Sequence, residues 1–114
     1  FQTVTTQAEL DVALQGSQPA LIYVTADWCV TCRTIERGPM SDPQVIDALS
    51  DMVRIKVDVT DFTAEAQALM TRLSAAGPPT MIFVGAARAE PQNSRLIGDV
   101  KTRDLIASIS KVVQ

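Results

Sequence analysis

The chain has 114 residues, a formal charge of −3 and no histidine. Its length fits one domain, and 46% hydrophobic with 20% charged residues is typical of a globular protein. The lack of histidine excludes Ser-His-Asp and Cys-His catalysis and histidine-ligated metals, and the lack of a basic cluster argues against nucleic-acid binding.

The first predicted elements are an opening strand, a short helix and a buried strand. Thr6-Gln-Ala-Glu9 is a capping-box pattern that begins a helix, which we expect to end near Gly16. The segment Ala20–Thr25 is apolar and partly β-branched, which favours a buried strand. Both cysteines of the chain lie in Asp27–Arg33, directly after this strand.

The cysteine motif leads into a predicted helix, a second helix and a strand. The first helix is expected to run to about Arg37, because Gly38-Pro39 interrupts it. Ser41-Asp-Pro-Gln44 predicts a new helix with Pro43 at its first position. Apolar and polar residues then alternate over Met52–Val59, as in a strand with one polar face.

The second half of the chain predicts a helix, a strand pair and a last helix. Asp61–Ala75 has apolar residues at helical spacing, Phe62 among them, and Gly77 is the expected terminator. The remaining elements are two strands that pair as a hairpin, Thr80–Val84 and Arg95–Ile97, and a helix over Thr102–Val112. This order favours an α/β fold with helices on both faces of the sheet, in one domain over 1–114.

Cys29 and Cys32 lie where the buried strand ends and a helix begins. Side chains three residues apart on a helix are about 5–6 Å from one another, within the reach of a disulfide. The positive end of a helix favours an anion, so we expect a lowered thiol pKa at Cys29 and an attacking role for its sulfur. Cys32, one turn inside, is the expected resolving thiol. No metal, flavin or nucleotide is required.

Two other interpretations of the cysteine pair are open. Half of a zinc site would need ligands that this chain lacks, unless two copies share the metal. A static disulfide would brace a non-catalytic docking module, although closing so short a loop stabilises a fold little. A redox-active pair is favoured over both.

Four segments together resemble a known family: Ala26–Arg33, Ser41–Val45, Val57–Thr60 and Gly77–Phe83. Trp-Cys-x-x-Cys with a distant Pro-Thr resembles thioredoxin-fold proteins. The longer segments are similar to the C-terminal domain of the DsbD family of thiol:disulfide interchange proteins, over about residues 5–112. This resemblance implies a thioredoxin fold, with a central mixed β-sheet flanked by helices on both faces.

The resemblance also implies roles for residues outside the cysteine pair. The bond between Pro78 and Pro79 is expected to be cis and to pack beside the cysteines, where neighbouring backbone binds the substrate chain. Without the resemblance, two trans prolines that end a loop would be the simpler interpretation. Trp28 is expected both to shape the docking surface and to cover the core.

The sequence departs from the family at Tyr23, where relatives place a buried carboxylate. A phenol with an ordinary pKa of about 10 is a poor substitute near neutral pH. Glu36 matches an acidic position of the family and lies one turn past Cys32, which makes it the candidate for tuning proton transfer; a solvated carboxylate is the alternative. Asp27 either raises the thiol pKa or caps the helix.

The function implied by the resemblance is protein-disulfide reduction by a periplasmic domain of a larger bacterial inner-membrane protein. Electrons would come from a transmembrane domain and pass to a partner domain at the N-terminus of the same protein. The domain itself is expected to be a monomer, without a signal peptide or bilayer insertion. A free-standing thioredoxin-like reductase or oxidase and a docking module are the alternatives.

Overall fold

Five strands of the computed structural model, which describes residues 1–113, form one mixed sheet. The strands are β1 (Gln2–Val4), β2 (Ala20–Thr25), β3 (Val53–Asp58), β4 (Thr80–Val84) and β5 (Leu96–Ile97). Their spatial order is β1-β3-β2-β4-β5. β3 runs parallel to β1 and β2, whereas β4 is antiparallel to both β2 and β5, as the predicted hairpin requires.

The helices cover both faces of this sheet. They are α1 (Gln7–Ala13), α2 (Val30–Arg37), α3 (Pro43–Ala48), α4 (Ala64–Leu73) and α5 (Thr102–Ser110), with a 3₁₀ turn over Pro39–Ser41. α1 packs with α4, while α3, α5 and the 3₁₀ turn pack with one another. Every residue of β2 and β4 is buried, and alternate residues of a strand point to opposite faces, so both faces are covered.

Local sequence signals set most helix starts. The side chain of Thr6 accepts a hydrogen bond from Glu9 N, and the Glu9 carboxylate bonds back to Thr6 N, which confirms the capping box. Asp42 caps α3 through its side chain alone, which accepts a hydrogen bond from Gln44 N, and Pro43 occupies the first helical position as predicted.

The predicted bounds of α4 are wrong at both ends. Phe62 is half exposed with a φ of +46°, and the helix begins only after Thr63, whose side chain accepts a hydrogen bond from Ala66 N. The last helical residue is Leu73, and the cap residue Ser74 adopts the left-handed conformation with a φ of +54°, so Ala75 lies outside the helix and Gly77 does not terminate it. The apolar spacing predicted Phe62 to lie in the helix. Its left-handed backbone conformation excludes it, and the Thr63 side-chain cap makes Ala64 the first helical residue.

Candidate active site

The two cysteines form a disulfide at the start of α2. Cys29 is the N-cap residue, and its Sγ accepts a hydrogen bond from Cys32 N at 3.1 Å. The Cα atoms lie 5.2 Å apart, within the range that a disulfide needs. Cys29 retains 7% exposure and Cys32 retains none, which agrees with the predicted difference in depth.

Asp27 does not cap α2, because Cys29 occupies that position. The Asp27 carboxylate is exposed and lies 3.8 Å from Arg33 Nη1. Its backbone N–H donates to Thr60 Oγ1 at 2.9 Å. The helix-cap interpretation of Asp27 is therefore wrong.

Trp28 and the paired prolines lie at the end of the sheet from which the cysteine motif leaves. The Trp28 side chain is mostly exposed, and its indole N–H donates to Thr60 O at 3.0 Å, so the loop after β3 fixes the ring. The Pro78–Pro79 bond is cis, with Pro79 buried and Pro78 partly buried. Thr80 pairs with Val24 near the end of β2, which brings the proline loop to the end of β2 from which the cysteine motif leaves.

Tyr23 and Glu36 meet beneath the cysteine helix. The Tyr23 hydroxyl donates to Glu36 Oε2 at 2.9 Å, and the Thr25 hydroxyl donates to the same oxygen at 3.3 Å. Burial raises the pKa of Tyr23 to about 12, so the phenol stays protonated at neutral pH. The Glu36 side chain is 22% exposed, which excludes the freely solvated carboxylate that sequence alone left open.

Arg33, which was not among the candidate residues predicted from the sequence, completes this cluster. Its Nη2 donates to Glu36 Oε2 at 2.8 Å and to Thr25 Oγ1 at 3.1 Å. The three-residue spacing of Arg33 and Glu36 along one helix was a signal that could have found the pair. The hydrogen bonds of Glu36 with Tyr23 and of Arg33 with Thr25 carry no such signal, because they form only when α2 packs against β2.

No group of three or more acidic or cysteine side chains within residues 1–113 is arranged to hold a metal ion. Over the same residues, none of the helices combines the length and apolar character needed to cross a membrane.

Comparison with known proteins identifies relatives for nearly the whole chain. A family model described as thioredoxin-like matches residues 3–86. The thiol:disulfide interchange protein DsbD of Pseudomonas fluorescens is 36% identical over 104 residues, which is 88% of this chain and 18% of that protein. The chain thus spans about a fifth of the length of the curated relatives it matches.

Solved structures share the fold. The DsbD C-terminal domain of Neisseria meningitidis in its reduced form superposes with a TM-score of 0.80 at 24% identity, covering 95% of this chain and 97% of that chain. A thioredoxin from Thermus thermophilus superposes with a TM-score of 0.74 at 25% identity, covering 98% and 86%. The predicted thioredoxin fold and the predicted likeness to DsbD proteins are confirmed.

Proposed function

Since the chain belongs to the thioredoxin-like family, we propose that it is a protein-disulfide reductase that works by dithiol–disulfide exchange. The observation that carries this proposal is a cysteine pair at disulfide distance, with its first member at the N-cap of a helix. In the oxidised state the pair is closed, and reduction opens it with little backbone movement, because both residues sit on one helical turn.

The exchange proceeds in two steps. The Cys29 thiolate attacks one sulfur of the partner disulfide, forming a mixed disulfide and releasing the other partner sulfur as a thiolate that takes up a proton. The Cys32 sulfur, after losing its proton, attacks Cys29 Sγ and releases the second partner thiolate. Two electrons and two protons pass to the partner, and the Cys29–Cys32 disulfide forms.

The order of attack follows from the surroundings of the two sulfurs. Cys29 is the more exposed residue, and its Sγ already receives an N–H from the first turn of α2, a donor that also stabilises a thiolate. Cys32 is fully buried, so an incoming protein disulfide cannot reach it first. Cys29 is therefore the attacking sulfur and Cys32 the resolving one.

We place the docking surface for the partner on exposed apolar residues that flank Cys29 in the chain or pair with the strand after the proline loop. Trp28 is 57% exposed, Val30 79% and Ile97 72%, and Ile97 pairs with Thr80 directly after the cis proline. Exposed apolar groups that cluster around a reactive sulfur favour a protein partner over a small thiol. Pro78 and Pro79 shape the adjacent backbone that would bind the partner chain.

Glu36, Tyr23 and Asp27 tune proton transfer at the cysteines in this proposal. Glu36 lies on α2 one turn after Cys32, and the Tyr23 hydroxyl donates a hydrogen bond to its carboxylate. Tyr23 does not itself exchange a proton at neutral pH, because its pKa is raised to about 12 by burial. Glu36 is thus the proton-exchanging candidate, and Asp27 adds negative charge from the loop.

The likeness to DsbD proteins supports a place for the chain as a periplasmic domain of a larger bacterial inner-membrane protein. In this arrangement a transmembrane domain reduces the Cys29–Cys32 disulfide, and the reduced pair then reduces another domain of the same protein. The domain acts as a monomer and needs no cofactor. A free-standing thioredoxin-like reductase or oxidase would use the same residues.

Trapping of the mixed disulfide tests the proposal. In Cys32→Ser the resolving thiol is absent, so we expect a covalent complex with a disulfide-bearing partner, identified by mass analysis. Cys29→Ser is the matched control and should trap at least tenfold less. Trapping by Cys29→Ser as strong as or stronger than that by Cys32→Ser would show that the assignment of attacker and resolver is wrong, and no trapping by either variant would refute the reductase.

The equilibrium potential of the pair separates the reductase from an oxidase or a static brace. Titration against glutathione should place it toward the reducing, thioredoxin-like end of the scale. A potential near that of a strong oxidant would reverse the direction of transfer. A sharp loss of thermal stability on reduction, with no exchange activity, would identify a structural disulfide.

A further inference from the structure

The guanidinium of Arg33 lies between two carboxylates next to the cysteine pair. Nη2 contacts Glu36 Oε2 at 2.8 Å, and Nη1 lies 3.8 Å from Asp27 Oδ1. Two thirds of the Arg33 side chain is shielded from solvent. An ion pair that is partly shielded in this way is screened less than an exposed one.

Arg33 is also tied to the first turn of α2, where Cys29 sits. Its backbone N–H donates to Cys29 O at 3.2 Å, which is the first helical bond after the cap. Residues four apart share a helix face, so the Arg33 side chain leaves the helix on the side of Cys29. The same side chain reaches Thr25 on β2 and thereby bridges the helix to the end of the buried strand.

Glu36 is held by donors from two elements. Oε2 alone receives hydrogen bonds from Tyr23, Thr25 and Arg33. Arg33 is the only charged donor of the three, so its bond to the carboxylate adds an attraction between opposite charges that neither hydroxyl supplies. Loss of Arg33 would therefore release Glu36 more than loss of either hydroxyl.

We propose that Arg33 is a positioning residue for thiol–disulfide exchange, which holds the Glu36 carboxylate against Tyr23 and Thr25 and so fixes where that charge stands relative to the cysteines. This role rests on the proposed function, since it assigns a residue to the same reaction. The ionisable groups around the guanidinium come from β2 (Tyr23), from the loop after it (Asp27) and from α2 (Glu36).

Arg37 provides a matched control on the same helix. It is exposed and makes no side-chain hydrogen bond or ion pair within residues 1–113. Arg33→Gln and Arg37→Gln remove the same charge, one from the cluster and one from the surface. Both are made in Cys32→Ser, so that Cys29 is the single thiol that an alkylating reagent can modify.

The experiment measures the rate of Cys29 alkylation across the pH range in which thiols titrate. Arg33→Gln should slow alkylation at neutral pH about three- to tenfold, because the apparent pKa of the Cys29 thiol rises by up to about 1 pH unit when the nearby carboxylates lose their counter-charge. Arg37→Gln should change the rate less than about 1.5-fold. Equal effects of the two variants would overturn the proposal.

A double-mutant cycle with Glu36→Gln separates positioning from simple charge. Independent charges act additively on the thiol, whereas a residue that positions Glu36 loses most of its effect once that charge is gone. The Arg33→Gln effect should fall at least by half in Glu36→Gln. Full additivity would overturn the positioning role.

Arg33→Lys keeps the charge but replaces two nitrogens with one: in Arg33, Nη2 serves Glu36 and Thr25 while Nη1 faces Asp27. Arg33→Lys should raise the apparent pKa of the Cys29 thiol by less than Arg33→Gln does. An alkylation profile for Arg33→Lys identical to that of the protein with Arg33 would overturn the proposal, even if Arg33→Gln does not fold. A separate measurement distinguishes failure of the proposed function. In that case the wild-type Cys29–Cys32 pair would not reduce a protein disulfide, such as one of insulin, whatever alkylation profiles the variants show.

Discussion

Two partly buried arginine–glutamate pairs in this molecule are built differently. Arg95 donates to both oxygens of the Glu90 carboxylate, from Nε to Oε2 at 2.8 Å and from Nη2 to Oε1 at 3.0 Å. Its Nη1 donates to the carbonyls of Leu73 and Ser74 at the end of α4. The Arg33 guanidinium, in contrast, donates only to side chains, and it reaches a single oxygen of the Glu36 carboxylate.

The difference shows that arginine has two roles in this molecule. Where the guanidinium donors go to backbone carbonyls, they stabilise the end of a helix and the loop that carries the arginine. Where they go to ionisable side chains beside a reactive thiol, they set the position of charge. Substitutions at the two pairs should therefore separate stability from reactivity.

The largest stability effect is expected at Arg95. Arg95→Met removes the paired bonds to Glu90 and leaves two carbonyls at the end of α4 without their donor, so the free energy of unfolding should fall by about 2 kcal/mol. Urea unfolding measures this loss. The alkylation rate of Cys29 should stay at the wild-type value, and a slowed rate with unchanged stability would contradict the distinction between the two pairs.

Tyr23→Phe should have an intermediate effect. It removes the hydroxyl that bonds to Glu36, and the expected loss is about 1 kcal/mol at neutral pH. Urea unfolding of the two proteins gives this difference. A gain in stability would show that the bond between Tyr23 and Glu36 contributes nothing.

The pH dependence of stability sharpens the test of Tyr23. Burial raises its pKa to about 12, so the protonated phenol is favoured in the folded state. The stabilisation is fully present below the ordinary pKa of about 10 and is lost as pH rises from there through the folded value. The wild type should thus lose stability more steeply than Tyr23→Phe above that ordinary value. Tyr23 is the only tyrosine, so ultraviolet titration of the folded protein reports its ionisation directly.

The smallest effect is expected at the pair between Arg72 and Asp11, which joins α4 to α1 at the surface. Both side chains are more than a third exposed, and solvent screens such pairs. Arg72→Gln should lower the free energy of unfolding by less than about 0.5 kcal/mol. A loss as large as that of Arg95→Met would mean that backbone contacts are not what distinguishes Arg95.

Much of the cysteine site could be predicted from local sequence. Ala20–Thr25 and Thr80–Val84 were predicted with the bounds that the structure shows, because each is a short apolar run directly preceded by a proline. The place of Cys29 at the start of α2 follows from its position directly after the first of these strands. The cis proline came from the family resemblance, since local physics favours trans.

Two features were not predicted, the first for a local reason and the second because it depends on contacts between distant segments. Phe62 fits a helical apolar pattern, yet its left-handed backbone and the Thr63 cap exclude it from α4. Thr60 holds the Trp28 ring and the Asp27 backbone from a loop more than thirty residues away. Nothing in the neighbouring sequence specifies either contact.

The sequence by itself determined that a disulfide can form, because two cysteines three residues apart at the start of a helix lie within disulfide distance of one another. Only the tertiary structure decided which side chains meet beneath the cysteine helix. Tyr23 and Glu36 are thirteen residues apart and meet because β2 places the phenol under α2. Arg33 joins them there, since hydrogen bonds between side chains of a strand and a helix form only once the two elements pack.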